Sequence, residues 1–262
     1  MKFTKKSLGQ NFLIDKNIIN KIVNLLKIEN IDVIEIGPGK GALTSEILKK
    51  KPKSLSLIEK DNFLFKELKV KYKGIKKINL FNDDILKFDL ENKINKKSSA
   101  IFGNLPYNIS SQILVKILNF KKWPPCFNDI IFMFQKEVGE KILGKFSTVN
   151  YGRLSILANY RIQHIQNFLV SQNCFYPKPK VTSMVIHFKP KKNNQITIKN
   201  IKNLEKVTSL FFSNKRKMIN KSLNKLLKRK EIDMLKDLDT SLRPADIRPE
   251  LYYKIVEIIE KR

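Results

Sequence analysis

Along the first 190 residues, short apolar runs with strand character alternate with stretches whose apolar positions recur at helical spacing. Ile18, Ile19, Ile22, Val23, Leu25 and Leu26 form one helical face, with Asp15 placed to cap it. Asp32-Val33-Ile34-Glu35-Ile36, Leu55-Ser56-Leu57-Ile58-Glu59, Ile78 to Phe81 and Ser99-Ala100-Ile101-Phe102 read as strands. A helix carrying Leu43, Ile47 and Leu48 follows the first of these. Ser110 to Leu118, capped by Ser110 and faced by Ile113, Leu114, Ile117 and Leu118, follows the last. Asn128 to Phe134, Phe168-Leu169-Val170 and Val181 to Phe188 complete the strands, the late ones suiting an antiparallel edge. Strand alternating with helix predicts an α/β fold on a mainly parallel sheet.

The rhythm changes after Pro190-Lys191-Lys192-Asn193-Asn194. Only helical spacing remains: Leu204, Val207, Leu210 and Phe211, then Leu223, Leu226 and Leu227, then Leu251, Ile255, Ile258 and Ile259. The pattern predicts an α/β domain over 1–190 and a small helical domain over 191–262. Within the second lies a basic run, Lys215-Arg216-Lys217, Lys221, Lys225 and Lys228-Arg229-Lys230, with the spacing of Lys217, Lys221, Lys225 and Lys228 putting part of it on one helix face.

Composition narrows the classes. The 262 residues are 42% hydrophobic, enough for a sizeable core, and carry 52 Lys and Arg against 24 Asp and Glu, a net charge of +28. Such a charge attracts polyanions, nucleic acid first, although a Lys-rich composition also produces it. Cys126, Cys174, His164 and His187 make no metal-ligand spacing, and two cysteines exclude a disulfide scaffold, which fits a reducing cytoplasm. No apolar h-region follows Met1-Lys2-Phe3-Thr4-Lys5-Lys6, and no run approaches the roughly 18 apolar residues of a membrane span.

The candidate chemistry sits at strand ends, where open α/β sheets bind ligands. The strand ending at Ile36 enters Gly37-Pro38-Gly39-Lys40-Gly41, the next ends in Glu59 about twenty positions on, and the third ends at Asp83-Asp84. A Gly-rich turn, then an acid able to accept both ribose hydroxyls, points to an adenosyl ligand. The fourth strand leads into Gly103-Asn104-Leu105-Pro106-Tyr107-Asn108. An Asn carbonyl, a backbone carbonyl beside a rigid Pro and a flat Tyr suit an exocyclic amino group on a planar ring. Gly37, Gly39 and Ala42 also satisfy a dinucleotide fingerprint, so a nicotinamide enzyme competes. No obvious His or Cys serves hydride chemistry, and methylation of an amino group with S-adenosylmethionine is the preferred reading. Ser7 to Leu13 reads as a polar loop, and Glu35, Asp83 and Asp89 as strand-end or capping acids. Lys136, Lys141, Lys145 and Arg153 are candidate phosphate contacts near the mouth.

These stretches, together with Gly9-Gln10-Asn11-Phe12-Leu13, Gln135-Lys136-Glu137-Val138, Tyr151-Gly152-Arg153-Leu154-Ser155 and Phe175-Tyr176-Pro177-Lys178-Pro179-Lys180-Val181-Thr182-Ser183, resemble the rRNA adenine N6-dimethyltransferase family. The resemblance covers most of residues 5–190 and weakens through Phe211 to Met218. It is closest to the bacterial KsgA branch, which acts on the small subunit; the Erm branch, acting on the large subunit, more often has Ile where Leu105 stands. In the wider group of amino methyltransferases that position is often Pro, but only its carbonyl is needed.

The resemblance implies a class I S-adenosylmethionine-dependent (Rossmann-like) sheet with a C-terminal helical RNA-binding domain. Asn11 and Leu13 would close over the cofactor and Gly37 would admit its methionine part. Glu59 would hold the ribose, Asp84 the adenine amino group, and Asn104 would lie between cofactor and target. Asn104 and the Leu105 carbonyl would accept the N6 hydrogens, Tyr107 would stack on the base and Phe175 would cover its other face. The implied partner is 16S rRNA in the small subunit or its precursor, dimethylated at two adjacent adenosines of the 3′-terminal hairpin loop, with a role in ribosome biogenesis; a cytoplasmic location follows from the cysteine usage, and a monomer is the default expectation. An Erm-like enzyme, or an assembly factor acting mainly by binding, stands as the alternative.

Overall fold

A computed structural model of the chain describes residues 10–93, 99–235 and 238–262; Ser7, Leu8 and Gly9 of the expected polar loop lie outside them. Asp15 caps the first helix as expected, its Oδ1 accepting from Ile18 N at 3.0 Å. Asp61 caps another in the same way, accepting from the amides of Phe63 and Leu64. The first half of the chain runs β1 (Phe12–Leu13), α1 (Lys16–Val23), β2 (Asp32–Ile36), α2 (Ala42–Lys49), β3 (Ser54–Glu59), α3 (Asn62–Lys71), β4 (Ile78–Asn82), α4 (Leu90–Lys93), β5 (Ser99–Asn104) and α5 (Ser110–Leu118). It continues with β6 (Phe127–Gln135), α6 (Lys136–Ile142), α7 (Arg153–Arg161), β7 (Ile162–Val170), β8 (Phe175–Tyr176) and β9 (Ser183–Pro190). Helices α8 (Ile201–Phe212), α9 (Asn220–Leu226), α10 (Arg229–Asp233) and α11 (Pro249–Glu260) end it.

The main sheet has seven strands in the order β4-β3-β2-β5-β6-β9-β7. β4, β3, β2, β5 and β6 pair in parallel, and β9 lies antiparallel against β6. Every residue of β2 and β3 is buried, as the central strands of a sheet covered on both faces must be. The strand order reverses between β2 and β5. Carboxyl ends diverge at such a point and leave a crevice. β1 and β8 make a separate two-stranded sheet, Phe12 opposite Tyr176 and Leu13 opposite Phe175.

The chain forms two compact units. One takes Met1–Ile117, Pro124–Gly139 and His164–Pro190, with a core in which Val33, Leu55, Phe102, Ile131 and Val185 from the sheet meet Ile19 and Ile47 from the helices. The other takes Leu118–Trp123, Glu140–Gln163 and Lys191–Arg262. Earlier residues enter this second unit because they bond to its helices. Tyr151 Oη donates to Ile247 O at 2.8 Å, Tyr253 Oη to Ile156 O at 3.1 Å, and Asn119 Nδ2 to Glu205 Oε2 at 3.0 Å.

One helix was not expected, and two local expectations are corrected. α7 carries no amphipathic stripe to read, because Ser155, Ile156, Leu157, Ala158, Tyr160 and Arg161 are all buried. β7 is nine residues long where only its apolar end was expected, since an edge strand tolerates the exposed polar residues at its centre. Of the four lysines expected on one helix face, Lys217 and Lys228 fall outside the helix that holds the other two. Lys221 and Lys225 lie on α9, but Leu227 is extended (φ −123°, ψ 145°) and α10 starts anew after Lys228. Among the described residues no helix is long and apolar enough to cross a membrane, and no three His, Cys, Asp or Glu side chains group as metal ligands.

Candidate active site

The crevice at the strand-order reversal is a cleft of about 1180 Å³, open to solvent, inside the first unit. Its floor is the turn between β2 and α2. Gly37, Gly39 and Gly41 hold φ of +66°, +59° and +76°, conformations that a Cβ penalises. A Cβ on Gly37 would meet nothing closer than Asn104 O and Pro106 Cδ, both at 4.0 Å. It would therefore project into the cleft, and the glycine keeps that space for a ligand. One on Gly39 would come within 3.0 Å of the Phe12 ring, which packs the turn against β1.

Two acids stand behind this turn. Glu59, at the end of β3, is 6% exposed. Its Oε2 accepts from Gly39 N at 3.0 Å and its Oε1 from Asp61 N at 2.8 Å. Burial pushes its pKa upward while those two amides pull it back. The lone pairs left over can accept from a vicinal diol, with each oxygen already aimed. Glu35 is buried in β2, accepts from Thr44 Oγ1 at 2.6 Å, and is pushed by burial to a pKa of about 7, with the Glu59 charge adding.

Asp84 follows β4. Its Oδ2 takes Lys60 Nζ at 2.8 Å and its Oδ1 takes Leu86 N at 2.9 Å. The hydrogen bond from Lys60 leads in holding its pKa below the usual carboxylate value. An oriented, ionised acceptor at this end of the cleft suits an amino group on an adenine-sized ring.

Asn104, the last residue of β5, donates through Nδ2 to the Asn11 carbonyl at 3.1 Å. A carbonyl can only accept, so this bond fixes which end of the amide is which and leaves Oδ1 as the acceptor. Gly103 allows the close packing behind it: a Cβ there would lie 2.6 Å from Leu105 Cδ2. Tyr107 is half-buried, and its hydroxyl shares a 2.5 Å hydrogen bond with Ser183 Oγ on β9. Burial raises the Tyr107 pKa, which keeps the phenol neutral.

The structure thus sets Asn11, Leu13, Gly37, Glu59, Asp84, Asn104, Leu105 and Tyr107 on the wall of one cleft. Phe175 stands apart. It is 3% exposed, part of the core behind Leu13, and not among the residues lining the cleft. Strand alternation is the reason, because the residue opposite Leu13 faces the core and its neighbour Tyr176 faces out. Lys136, Lys141, Lys145 and Arg153 do not line the cleft either, and the last three belong to the second unit. Sequence reasoning assigned no role to Thr44, Lys60 and Ser183, whose partners Glu35, Asp84 and Tyr107 lie 9, 24 and 76 residues away. Phe12, 5.0 Å beneath Lys40 Nζ, is a fourth. The donors and acceptors present fit S-adenosylmethionine: a glycine floor with room above it and two carboxylates, Glu59 and Asp84, each held in place by hydrogen bonds.

Residues 1–261 match the family model described as ribosomal RNA adenine dimethylase. A ribosomal RNA small subunit methyltransferase A of Pelagibacter ubique (strain HTCC1062) is 45% identical over 260 residues, 98% of this chain and 97% of that protein. A dimethyladenosine transferase from Plasmodium falciparum superposes with a TM-score of 0.78 at 26% identity, over 95% of this chain and 98% of its own. The 23S rRNA methyltransferase ErmE does so with 0.70 at 24%, over 95% and 100%, a likeness of fold alone.

Proposed function

The chain belongs to the ribosomal RNA adenine dimethylase family, and on that premise we propose that it uses S-adenosylmethionine to dimethylate N6 of two adjacent adenosines in the 3′-terminal hairpin loop of small-subunit rRNA. The observation that carries this reading is the Asn104 amide, turned by the Asn11 carbonyl so that its oxygen is an acceptor. A target adenine needs that polarity and no other. When bound, S-adenosylmethionine supplies an electrophilic methyl on a sulfonium.

The N6 lone pair of adenine is delocalised into the ring and is a poor nucleophile. Accepting its two hydrogens, at Asn104 Oδ1 and the Leu105 carbonyl, favours a tetrahedral nitrogen with the lone pair aimed at the methyl. Tyr107 offers the flat face for the base, its ring held by the Ser183 bond. Positioning is the chief resource, and effective molarity can contribute ~7 kcal/mol. The nitrogen becomes acidic once methylated, so no residue is assigned as a general base. Asn11 and Leu13 close the cofactor side, Glu59 takes the ribose hydroxyls and Asp84 the adenine amino group. An adenine must leave its stack to enter, which is easier from a hairpin loop than from a duplex. The exposed Lys215, Arg216, Lys217, Lys221 and Lys225 of the second unit serve RNA docking in this reading.

Labelled methyl transfer to unmethylated small and large ribosomal subunits, read by nucleoside analysis, tests the proposal. N6,N6-dimethyladenosine confined to small subunits is the expected result. Label confined to large subunits would move the chain to the Erm type of activity. Salt-sensitive binding to small subunits without label would leave an assembly factor.

A further inference from the structure

The loop 177–182 is tied into the cleft at both ends. At its start Tyr176 lies opposite Phe12, a cleft residue, and its ring is turned outward, 54% exposed. At its end the buried Ser183 bonds the Tyr107 hydroxyl. Between them run Pro177-Lys178-Pro179-Lys180-Val181-Thr182. Two prolines restrict this stretch, and Gln172 Nε2 fastens it by donating to Lys180 O at 3.0 Å. Pro179 is buried while Lys178 and Lys180 are exposed. No acidic residue occurs from Gln172 to Ser183, and Lys40 Nζ, from the glycine turn, stands 5.0 Å over the Phe12 ring. An outward aromatic ring thus begins a stiff rim whose own charged side chains, Lys178 and Lys180, are both cationic and which leads to the tyrosine expected to hold the base.

We propose that this rim binds the single-stranded RNA flanking the target adenosine, Tyr176 stacking on an adjoining base and Lys178 and Lys180 meeting its phosphates. The inference rests on the function proposed above. A nucleotide drawn into the cleft leaves its neighbours unstacked at the mouth, and the strand must pass over the rim. Sequence-tolerant single-strand sites elsewhere pair an aromatic platform with a cationic track in this way. Phe175, buried behind Leu13, is not available for that stacking; Tyr176 is.

The test uses the full chain with unmethylated small ribosomal subunits. Tyr176→Ala is expected to raise the KM for subunits about tenfold, within the range of one base–aromatic stack, and Tyr176→Phe to leave it unchanged. Lys178→Ala/Lys180→Ala is expected to reduce the slope of log affinity against log salt by about 1.4, two single-strand phosphate contacts. Melting temperature and S-adenosylmethionine affinity stay at wild-type values in all three. Wild-type KM and slope in every variant would overturn the inference. So would a KM effect of Tyr176→Ala with no change of slope in the lysine pair, which would place a ribosomal protein on the rim. If the wild-type enzyme transfers no methyl, the proposed function fails instead, and binding of the same variants to a 3′-hairpin RNA still reads the rim.

Discussion

Glu35→Gln is expected to make the protein more stable and less responsive to S-adenosylmethionine. Glu35 is 1% exposed, and burial raises its pKa from 4.5 to about 7. Glu59 nearby adds to the rise, whereas Thr44 and the charge of Lys71 oppose it. The raised value fixes the sign. Below pH 4.5 the group is protonated in both folded and unfolded chains and carries no penalty. As pH climbs toward 7 the unfolded chain ionises first, and the native state loses stability that it does not regain at higher pH. The displacement corresponds to about 3 kcal/mol at pH 8. Gln mimics the protonated acid: its carbonyl can still accept from Thr44 Oγ1, and it never ionises. The variant should therefore melt roughly 6–12 °C above wild type at pH 8 and close to it at pH 5, taking ~2–4 °C per kcal/mol. Thermal melts of the ligand-free protein from pH 5 to 8.5 measure this. A difference that does not change with pH, or a variant less stable at pH 8, would refute the reasoning. A cation in the cleft favours ionised Glu35, so the variant should also gain less stabilisation from S-adenosylmethionine at pH 8 than wild type does.

Asn104→Ala should abolish methyl transfer while cofactor affinity, measured by calorimetry, stays near wild type; near-normal turnover would remove Asn104 from the mechanism. Gly37→Ala places a Cβ in an open direction at φ +66°, so stability should fall by only about 1–2 kcal/mol while cofactor affinity falls at least tenfold. Gly41→Ala should show the reverse balance, because its Cβ would lie 2.6 Å from Tyr72 Oη and displace the 2.9 Å bond to Ser45; equal affinity losses in the two variants would contradict this. Asp129→Ala removes the partner, at 2.6 Å, of the buried His187 and should lower stability in urea unfolding by about 1–3 kcal/mol. A loss below ~0.5 kcal/mol would show that the imidazole finds other company.

Much of the cleft was legible because its chemistry is carried by local spacing. Glu59 and Asn104 end strands and Gly37 and Asp84 follow the ends of two others, and parallel strands of similar length put their ends together whatever their detailed packing. What escaped reading depends on parity and on distance. Phe175 and Tyr176 differ by one position, and only the pairing of a two-residue strand with β1 decides which of them faces out. Ser183 meets Tyr107 across 76 residues, a relation no window of sequence displays. The buried helix α7 was missed for a complementary reason. Its apolar residues face every direction, so the periodicity that reveals a half-exposed helix is absent. The second unit's recruitment of residues from the middle of the chain follows from tyrosine hydroxyls reaching backbone carbonyls, again contacts of long range.

The bond between Asn104 and Asn11 and the pairing of β1 with β8 also set an order of events during synthesis. The glycine turn, Glu59, Asp84 and the Asn104 loop have all been made once the ribosome has passed residue 109, and parallel strands β2 to β5 can then pair. The cleft has no second lip until Phe175 and Tyr176 arrive to hold Phe12 and Leu13, and Tyr107 has no anchor until Ser183 follows. At 5–20 residues per second that interval is roughly 4–15 s. A chain arrested within it would carry the glycine turn without the strand that pairs with β1 or the anchor of Tyr107. Methylation competence is a property acquired late in translation, when the segment that closes the cleft from the far side of the sequence emerges.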